Sequence, residues 1–468
     1  MLEHVEIPPV DPELFRAVLS PAALEAFETG VREARSVLGE RRVWNVNSTA
    51  RGGGVAELLR PLVGYARGAG VDARWVVIGG DAPFFAVTKR IHNRLHGAEG
   101  DGRPLDDAAR RAYEGPLAAG AEELAGLVQP GDVVILHDPQ TAGMAAAVKA
   151  AGATVVWRCH IGLDVPNQIA RSAWDFLSPY VVAADAYVFS RRAFAWEGLD
   201  ERRIHLIAPS IDAFAPKNQG LDEGTVAAVL NAARLVPDGP DRPATYRRED
   251  GTPARVDRDA RMFEDAPVSP DDPVVLQVSR WDALKDPLGV IEGFAEHVPG
   301  AAHLIYAGPA VEAVSDDPEG ERMLNDAIAA REALPEGARR RVHLATLPLE
   351  DAEENAIMVN ALQRHARVVV QKSLAEGFGL TVAEAMWKGR PVVASRIGGI
   401  QDQIVDGERG VLLDDPRDLA AYGAAVRELL ADPAAAERMG WRAQERVREE
   451  FLSPRSLLEY LQLVRTLS

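Results

Sequence analysis

Short apolar runs, each about the length of a strand, alternate along this chain with longer stretches in which apolar residues recur at helical spacing. That rhythm predicts parallel sheets covered by helices, because a strand buried on both faces is apolar throughout while its covering helix is apolar on one side only. In the first half the strand candidates are VWNVN (43–47), ARWVVIG (73–79), DVVILH (132–137), TVVWRC (154–159) and AYVFS (186–190). The rhythm restarts with VVLQVS (274–279), AHLIYAG (302–308), VHLATL (342–347), VVVQKS (368–373) and PVVAS (391–395). The pattern therefore predicts an α/β protein built from two doubly wound modules in tandem, with a cleft between them.

The break between modules is expected near PSIDAFAPKN (209–218), giving a first domain at 1–213 and a second at 214–450. Residues 237–273 are charged and proline-rich without a sustained period, and read as a long excursion or mobile loop within the second domain. At the end of the chain, SPRSLLEYLQLVRTLS offers a capping serine, a proline next to it and apolar residues at helical spacing. Residues 451–468 are accordingly expected to form a closing helix that packs back toward the first domain.

Composition sharpens this picture. A chain of 468 residues, 47% hydrophobic, exceeds what one core holds and suits two domains of roughly 200 residues. Its 52 basic against 70 acidic residues leave a net charge of -18, which argues against nucleic acid or an anionic membrane as partner. An anionic ligand must then be held by a local basic cluster. The single cysteine, Cys159, excludes an internal disulfide. The opening MLEHVEIPPVDPELF has no signal-peptide character, and no run approaches the roughly 18 to 20 apolar residues of a membrane span, so a cytoplasmic location is expected.

Three segments carry candidate chemistry. In NVNSTARGGGVAELLRPLVGYA (45–66), Gly52, Gly53 and Gly54 separate a strand from a helix, so a ligand can approach the backbone and the helix N-terminus; a plain tight turn is the competing reading. Pro61 inside that helix predicts a kink. In QVSRWDALKDPLGVIEGF (277–294), Arg280 and Lys285 follow a strand end, where open parallel sheets bind ligands, and two such cations suit a diphosphate; two solvated surface cations are the alternative. In SLAEGFGLTVAEAMW (373–387), a helix beginning near Leu380 and Thr381 points its N–H groups at the same place. Glu384 lies among apolar neighbours in that helix, so it needs a hydrogen-bonding partner such as ribose hydroxyls, unless it simply points to water.

Other patterns carry less. His92 and His96 have the i, i+4 spacing of a metal pair, but HNRLH lacks the glutamate of a zinc-protease helix. Asp257-Arg258-Asp259 spells a D-x-D inside the charged excursion rather than after a strand, and reads as solvated loop. Cys159 and His160 are adjacent on a strand and so point to opposite faces, which argues against a dyad.

EGFGLTVAEA, with its two glutamates separated by seven residues, together with Arg280 and Lys285 upstream, resembles the donor site of retaining GT-B glycosyltransferases of family 4. More narrowly, VWNVNSTARGGGVAELL, FFAVTKRIHNRLHG (84–97), LHDPQTAG (136–143), WRCHIGLDVPN (157–167), PSID, QVSRWDALKDP and AEGFGLTVAEAMWKGRPVVASRIGGIQDQI resemble trehalose glycosyltransferring synthases over nearly the whole chain outside 237–273. The resemblance implies a GT-B fold of two Rossmann-like domains facing each other across a cleft that closes over its substrates. It implies a retaining glucosyltransferase that moves glucose, reversibly, from a nucleoside-diphosphate-glucose to free glucose, giving α,α-trehalose. ADP-, UDP- and GDP-glucose all stay open as donors.

Carried over residue by residue, the resemblance implies that Glu376 holds hydroxyls of the donor glucose and Glu384 the ribose. Arg280 and Lys285 would bind the diphosphate, with Gly377, Gly379, Leu380 and Thr381 completing the donor site and Gly53 and Gly54 beneath the sugars. His160 would face the donor glucose and join Glu376, Arg280 and Lys285 as the catalytic set, while Arg158, Asp138, Gln140, Lys89 and Asn93, with His160, would bind the acceptor. No tightly bound cofactor and no metal site is implied; magnesium is compatible with the sequence but not required by it. The expected partners are small molecules, the nucleotide sugar, glucose and trehalose, with no nucleic acid and no membrane; a homodimer is compatible with this reading. Alternatives are a retaining trehalose phosphorylase, another family-4 hexosyltransferase, a nucleotide-sugar epimerase, and a nucleotide-sugar sensor that binds without turnover.

Overall fold

Valine, isoleucine, leucine and tryptophan fill the ten strand candidates, and all ten form strands in the computed structural model, which describes residues 2–50, 53–239, 242–311 and 318–467. The chain divides into two compact units, Met1–Ile211 with Phe451–Ser468, and Asp212–Glu450.

The first unit is built on β1 (Leu2–His4), β2 (Val43–Asn47), β3 (Ala73–Ile78), β4 (Val133–His137), β5 (Thr154–Cys159), β6 (Ala186–Phe189) and β7 (Ile204–Leu206). Their order is β1-β3-β2-β4-β5-β6-β7, parallel throughout except for β1 against β3. Alternation along the strands sends Trp44, Val46, Val134, Leu136 and Trp157 to one face, against Phe84, Tyr113 and Phe176. Ile135, Val156 and Val188 face the other way, where Leu38, Leu463 and Val464 cover them. Leu463 and Val464 belong to the Ser453–Leu467 helix, which also pairs Arg465 with Glu33 at 2.7 Å and donates from Arg455 to the Ala208 carbonyl at 2.8 Å. The chain order reverses between β2 and β4, so the crevice expected of an open parallel sheet lies at the carboxyl ends of those two strands. The Gly54–Gly68 helix continues through Pro61.

The second unit orders β10 (Arg261–Phe263), β11 (Val274–Val278), β12 (His303–Pro309), β13 (Val342–Leu347), β14 (Val368–Gln371), β15 (Val392–Ser395) and β16 (Val411–Leu413) as β10-β13-β12-β11-β14-β15-β16. Here the reversal falls between β11 and β14, the two strands that precede the Arg280–Lys285 and Glu376–Glu384 segments.

The 237–273 stretch differs from the expected loose excursion. β8 (Thr245–Arg247) and β9 (Pro253–Arg255) form an antiparallel hairpin, and β10 adds an antiparallel edge to β13; Pro240 and Asp241 lie outside the described residues. Ion pairs fix the segment: Arg248 with Asp351, and Arg258 with Glu354, whose Oε1 also accepts the Asp257 and Arg258 N–H groups at 2.7 Å. Three-residue strands are too short to show a period, and their anchors lie about a hundred positions away in sequence, hence the misreading. Among the described residues no helix is long and apolar enough to cross a membrane.

Candidate active site

At the reversal point of the second sheet, Lys285 Nζ lies 2.6 Å from Glu376 Oε2, both side chains being 14% exposed. One residue comes from the turn after β11 and the other from the loop after β14, and the two segments are joined directly by the Leu374 N–H donating to the Leu284 carbonyl at 2.7 Å. A polar layer beneath holds them. Gln277 donates to the Lys285 carbonyl and accepts from the Lys372 N–H, while Gln371 donates to Ser279 Oγ and Ser373 Oγ and accepts from Thr381 Oγ1. The wholly buried Lys372 ion-pairs with Asp286, which caps the Pro287–His297 helix from a left-handed conformation, φ 51°. Arg280 is placed differently: it is 67% exposed and pairs with Asp282 at 3.0 Å.

The loop carrying Glu376 is shaped by a second glycine pair. A Cβ on Gly398, which has φ 48°, would sit 2.0 Å from the Glu376 carbonyl oxygen, and the Gly399 N–H donates to the Gly377 carbonyl at 2.7 Å. Gln403 donates to the Phe378 carbonyl at 2.6 Å. Gly379, at φ 83°, then starts the Leu380–Trp387 helix, whose first N–H groups have no partner within the helix itself and suit an anion. Glu384, on the buried side of that helix, lies 3.5 Å from Lys217 Nζ.

In the first unit the candidates gather at the ends of β4 and β5. The His160 N–H donates to Asp138 Oδ1 at 2.7 Å, and Trp157 Nε1 donates to the Asp138 carbonyl. Asp138 takes a left-handed conformation, φ 63°, a strain tolerated by a site that fixes it on several sides. The rings of His160 and His137 stack with nitrogens 3.0 Å apart, and His137 Nε2 lies 3.2 Å from Asn45 Oδ1. Arg158, buried, donates to His160 at 3.2 Å and to the Ile207 carbonyl at 2.8 Å, and its guanidinium lies over the Tyr460 ring. Burial and, secondarily, the Arg158 charge push His137 down to about 3 and His160 well below the ordinary imidazole value. Burial pushes the Asp138 carboxyl up to about 7, against the opposing His160 N–H and Arg158.

Gly53 and Gly54, exposed at the start of their helix, and partly exposed Gln140 follow β2 and β4; Gly52 lies outside the described residues. Lys89, exposed, and Asn93, partly exposed, lie on the Ala82–Leu95 helix. The rings of His92 and His96 are 5.0 Å apart, and among the described residues no group of three or more His, Cys, Asp or Glu could hold a metal ion. Asp257 and Asp259 are exposed and pair with Arg255 and Arg234. Sequence reasoning missed Lys217, Lys372, Asp286, His137 and Asn45. A lysine closing the apolar run VVVQKS was the one visible signal; the others have partners that only the fold brings near.

The model described as "Trehalose synthase, N-terminal domain" matches residues 45–196, and that described as "Glycosyl transferases group 1" matches residues 352–446. Trehalose synthase of Rubrobacter xylanophilus is 36% identical over 437 residues, covering 92% of this chain and 92% of that protein. Trehalose synthase of Pyrococcus horikoshii is 34% identical over 440 residues, covering 93% of this chain and 92% of that protein. Among solved structures, "Trehalose-6-phosphate from E. coli bound with UDP-2-fluoro glucose" matches with a TM-score of 0.66 at 12% identity, covering 91% of this chain and 99% of that one, a likeness of fold.

Proposed function

Since this chain belongs to the trehalose synthase family of GT-B glycosyltransferases, we propose that it transfers glucose from a nucleoside-diphosphate-glucose to the anomeric hydroxyl of free glucose, forming α,α-trehalose with retention at the donor carbon. The observation that carries this reading is the 2.6 Å pairing of Lys285 with Glu376 beside a helix N-terminus, at the reversal point of the second sheet. A cation suited to a diphosphate and a carboxylate suited to sugar hydroxyls are held there side by side.

In the transfer, the acceptor hydroxyl oxygen bonds to the donor anomeric carbon as the bond from that carbon to the diphosphate oxygen breaks. The acceptor proton passes to the departing diphosphate oxygen on the same face, so no carboxylate nucleophile is needed. The work of the protein is placement and charge stabilisation. Lys285, Arg280 and the N–H groups at Leu380 and Thr381 stabilise the leaving diphosphate, and Glu376 fixes the glucose hydroxyls. Once the ligand's phosphates draw Lys285 away, the Glu376 carboxylate turns to the sugar. On the acceptor side, the neutral His160 ring and the carboxyl of Asp138, held in place by the His160 N–H, present hydrogen-bonding groups to a hydroxylated ring.

Incubating the protein with ADP-, UDP- or GDP-glucose and free glucose, and identifying the disaccharide by NMR, tests the proposal: α,α-trehalose is expected. Cleavage of trehalose that needs phosphate and ignores nucleotides would replace it with a phosphorylase. Glu376→Ala is expected to abolish transfer with the circular dichroism spectrum unchanged. Lys285→Ala should lower turnover by about 10² to 10³, the usual cost of losing one charge stabiliser.

A further inference from the structure

The carboxylate of Glu384 is 2% exposed, and its nearby lysine does not belong to the same helix or to the neighbouring strands. Lys217, 24% exposed, comes from the segment 212–219 that opens the second unit. This segment is pinned on both sides of the lysine. Asn360 Nδ2 donates to the Pro216 and Gln219 carbonyls at 2.9 and 3.0 Å. The Asn218 carbonyl accepts from Trp387 Nε1 at 3.1 Å, its side-chain oxygen accepts from Lys388 Nζ at 3.0 Å, and its amide donates to the Asp212 carbonyl at 2.9 Å. Lys388 Nζ also donates to the Glu384 carbonyl at 3.1 Å.

Residue 218 is thus fixed to the end of the very helix that carries Glu384, and residues 216 and 219 to Asn360 of the Ala352–His365 helix, so Lys217 between them has little freedom to wander. At 3.5 Å the lysine supplies charge compensation more than a short directional bond. Stability alone is a poor reason for such an arrangement, because a buried ion pair roughly breaks even against well-packed apolar residues of the same volume. What the lysine does secure is an ionised carboxylate at a fixed place, and an ionised carboxylate is the stronger acceptor for a ribose hydroxyl.

We propose that Lys217 is a positioning residue of the donor site: it keeps Glu384 charged and aimed at the ribose, and so sets the preference for ribonucleotides over deoxynucleotides. The role rests on the donor-site reading given above. Lys217 acts through Glu384, so its loss should show in donor binding rather than in the chemical step.

Calorimetric titration of the full chain with ADP, UDP and GDP, then with the 2′-deoxy and 3′-deoxy forms of whichever binds best, tests this. Wild type should favour the ribonucleotide over its weaker deoxy analogue by about 10- to 100-fold, the worth of one hydrogen bond to a charged acceptor. In Lys217→Met that preference should collapse to about twofold, because binding of the ribonucleotide weakens while binding of the deoxy analogue stays put, on the same scale of one such bond. The Michaelis constant for the donor should rise with turnover nearly unchanged, and Lys217→Arg should restore both. Lys217→Gln carries the same comparison if the methionine variant does not fold. A variant that weakens both ligands equally, or keeps the full preference, overturns the role while leaving the donor site standing. A wild type that binds none of the three diphosphates overturns the donor reading and this role together.

Discussion

His137, His160 and Asp138 make opposite demands on pH. A histidine buried neutral contributes stability that is complete above its unfolded value of 6.5 and is lost as pH falls toward about 3 for His137, because the unfolded chain takes a proton the native state refuses. Asp138, pushed up from 3.8 to about 7, works the other way: its contribution is complete below 3.8 and fades as pH rises through 7. Between pH 4 and 6.5 the two histidines together outweigh the one carboxyl, so acidification lowers the cluster's contribution to stability. In His137→Asn one of the two histidine contributions is gone, and the variant's denaturation midpoints should fall less steeply with acid than those of wild type; parallel curves would refute the assignment. Residue by residue, legibility in the sequence followed partners. Lys285 and Glu376 stood out because each follows an apolar run at a strand end, whereas nothing local marks His137 or Lys217, whose neighbours at 3.0 and 3.5 Å arrive from distant elements.

The segment Gly398–Gln403 does for the Glu376 loop what a mould does for a casting. Its contacts are to backbone, to the carbonyls of Glu376, Gly377 and Phe378, so they set the path of the loop whatever its side chains. Gly398→Ala would place a Cβ 2.0 Å from the Glu376 carbonyl oxygen at a φ of 48° that alanine resists. We expect a loss of about 1–3 kcal/mol in stability and a fall in turnover like that of Glu376 variants, read from steady-state kinetics beside a thermal melt. Normal turnover would show that the loop does not need this support. The ten strands were legible because Val, Ile and Leu runs such as VVILH and VVLQV announce double-sided burial. β8, β9 and β10 were not, since strands of three residues carry no period and owe their place to pairing and to Glu354 and Asp351.

Across the whole molecule, the division into two modules was readable from the restart of the apolar rhythm, but membership of the last eighteen residues depends on what the Ser453–Leu467 helix covers. Leu463 and Val464 are buried there against Leu38, Ile135 and Val188, at roughly 1.5–3 kcal/mol for each side chain. Against a typical total of about 5–15 kcal/mol for a domain, their loss is severe. A chain ending at Glu450 should therefore lose hydrogen-exchange protection in β2, β4 and β5 while keeping it in β11, β12 and β14; uniform protection would sink that expectation. The same arrangement dictates an order of birth on the ribosome. Residues 212–450 are contiguous and are all synthesised before residue 451, while the first unit waits for its final helix. During translation the half built later is finished earlier, and the half begun first spends that interval with an apolar face bare, in need of shelter.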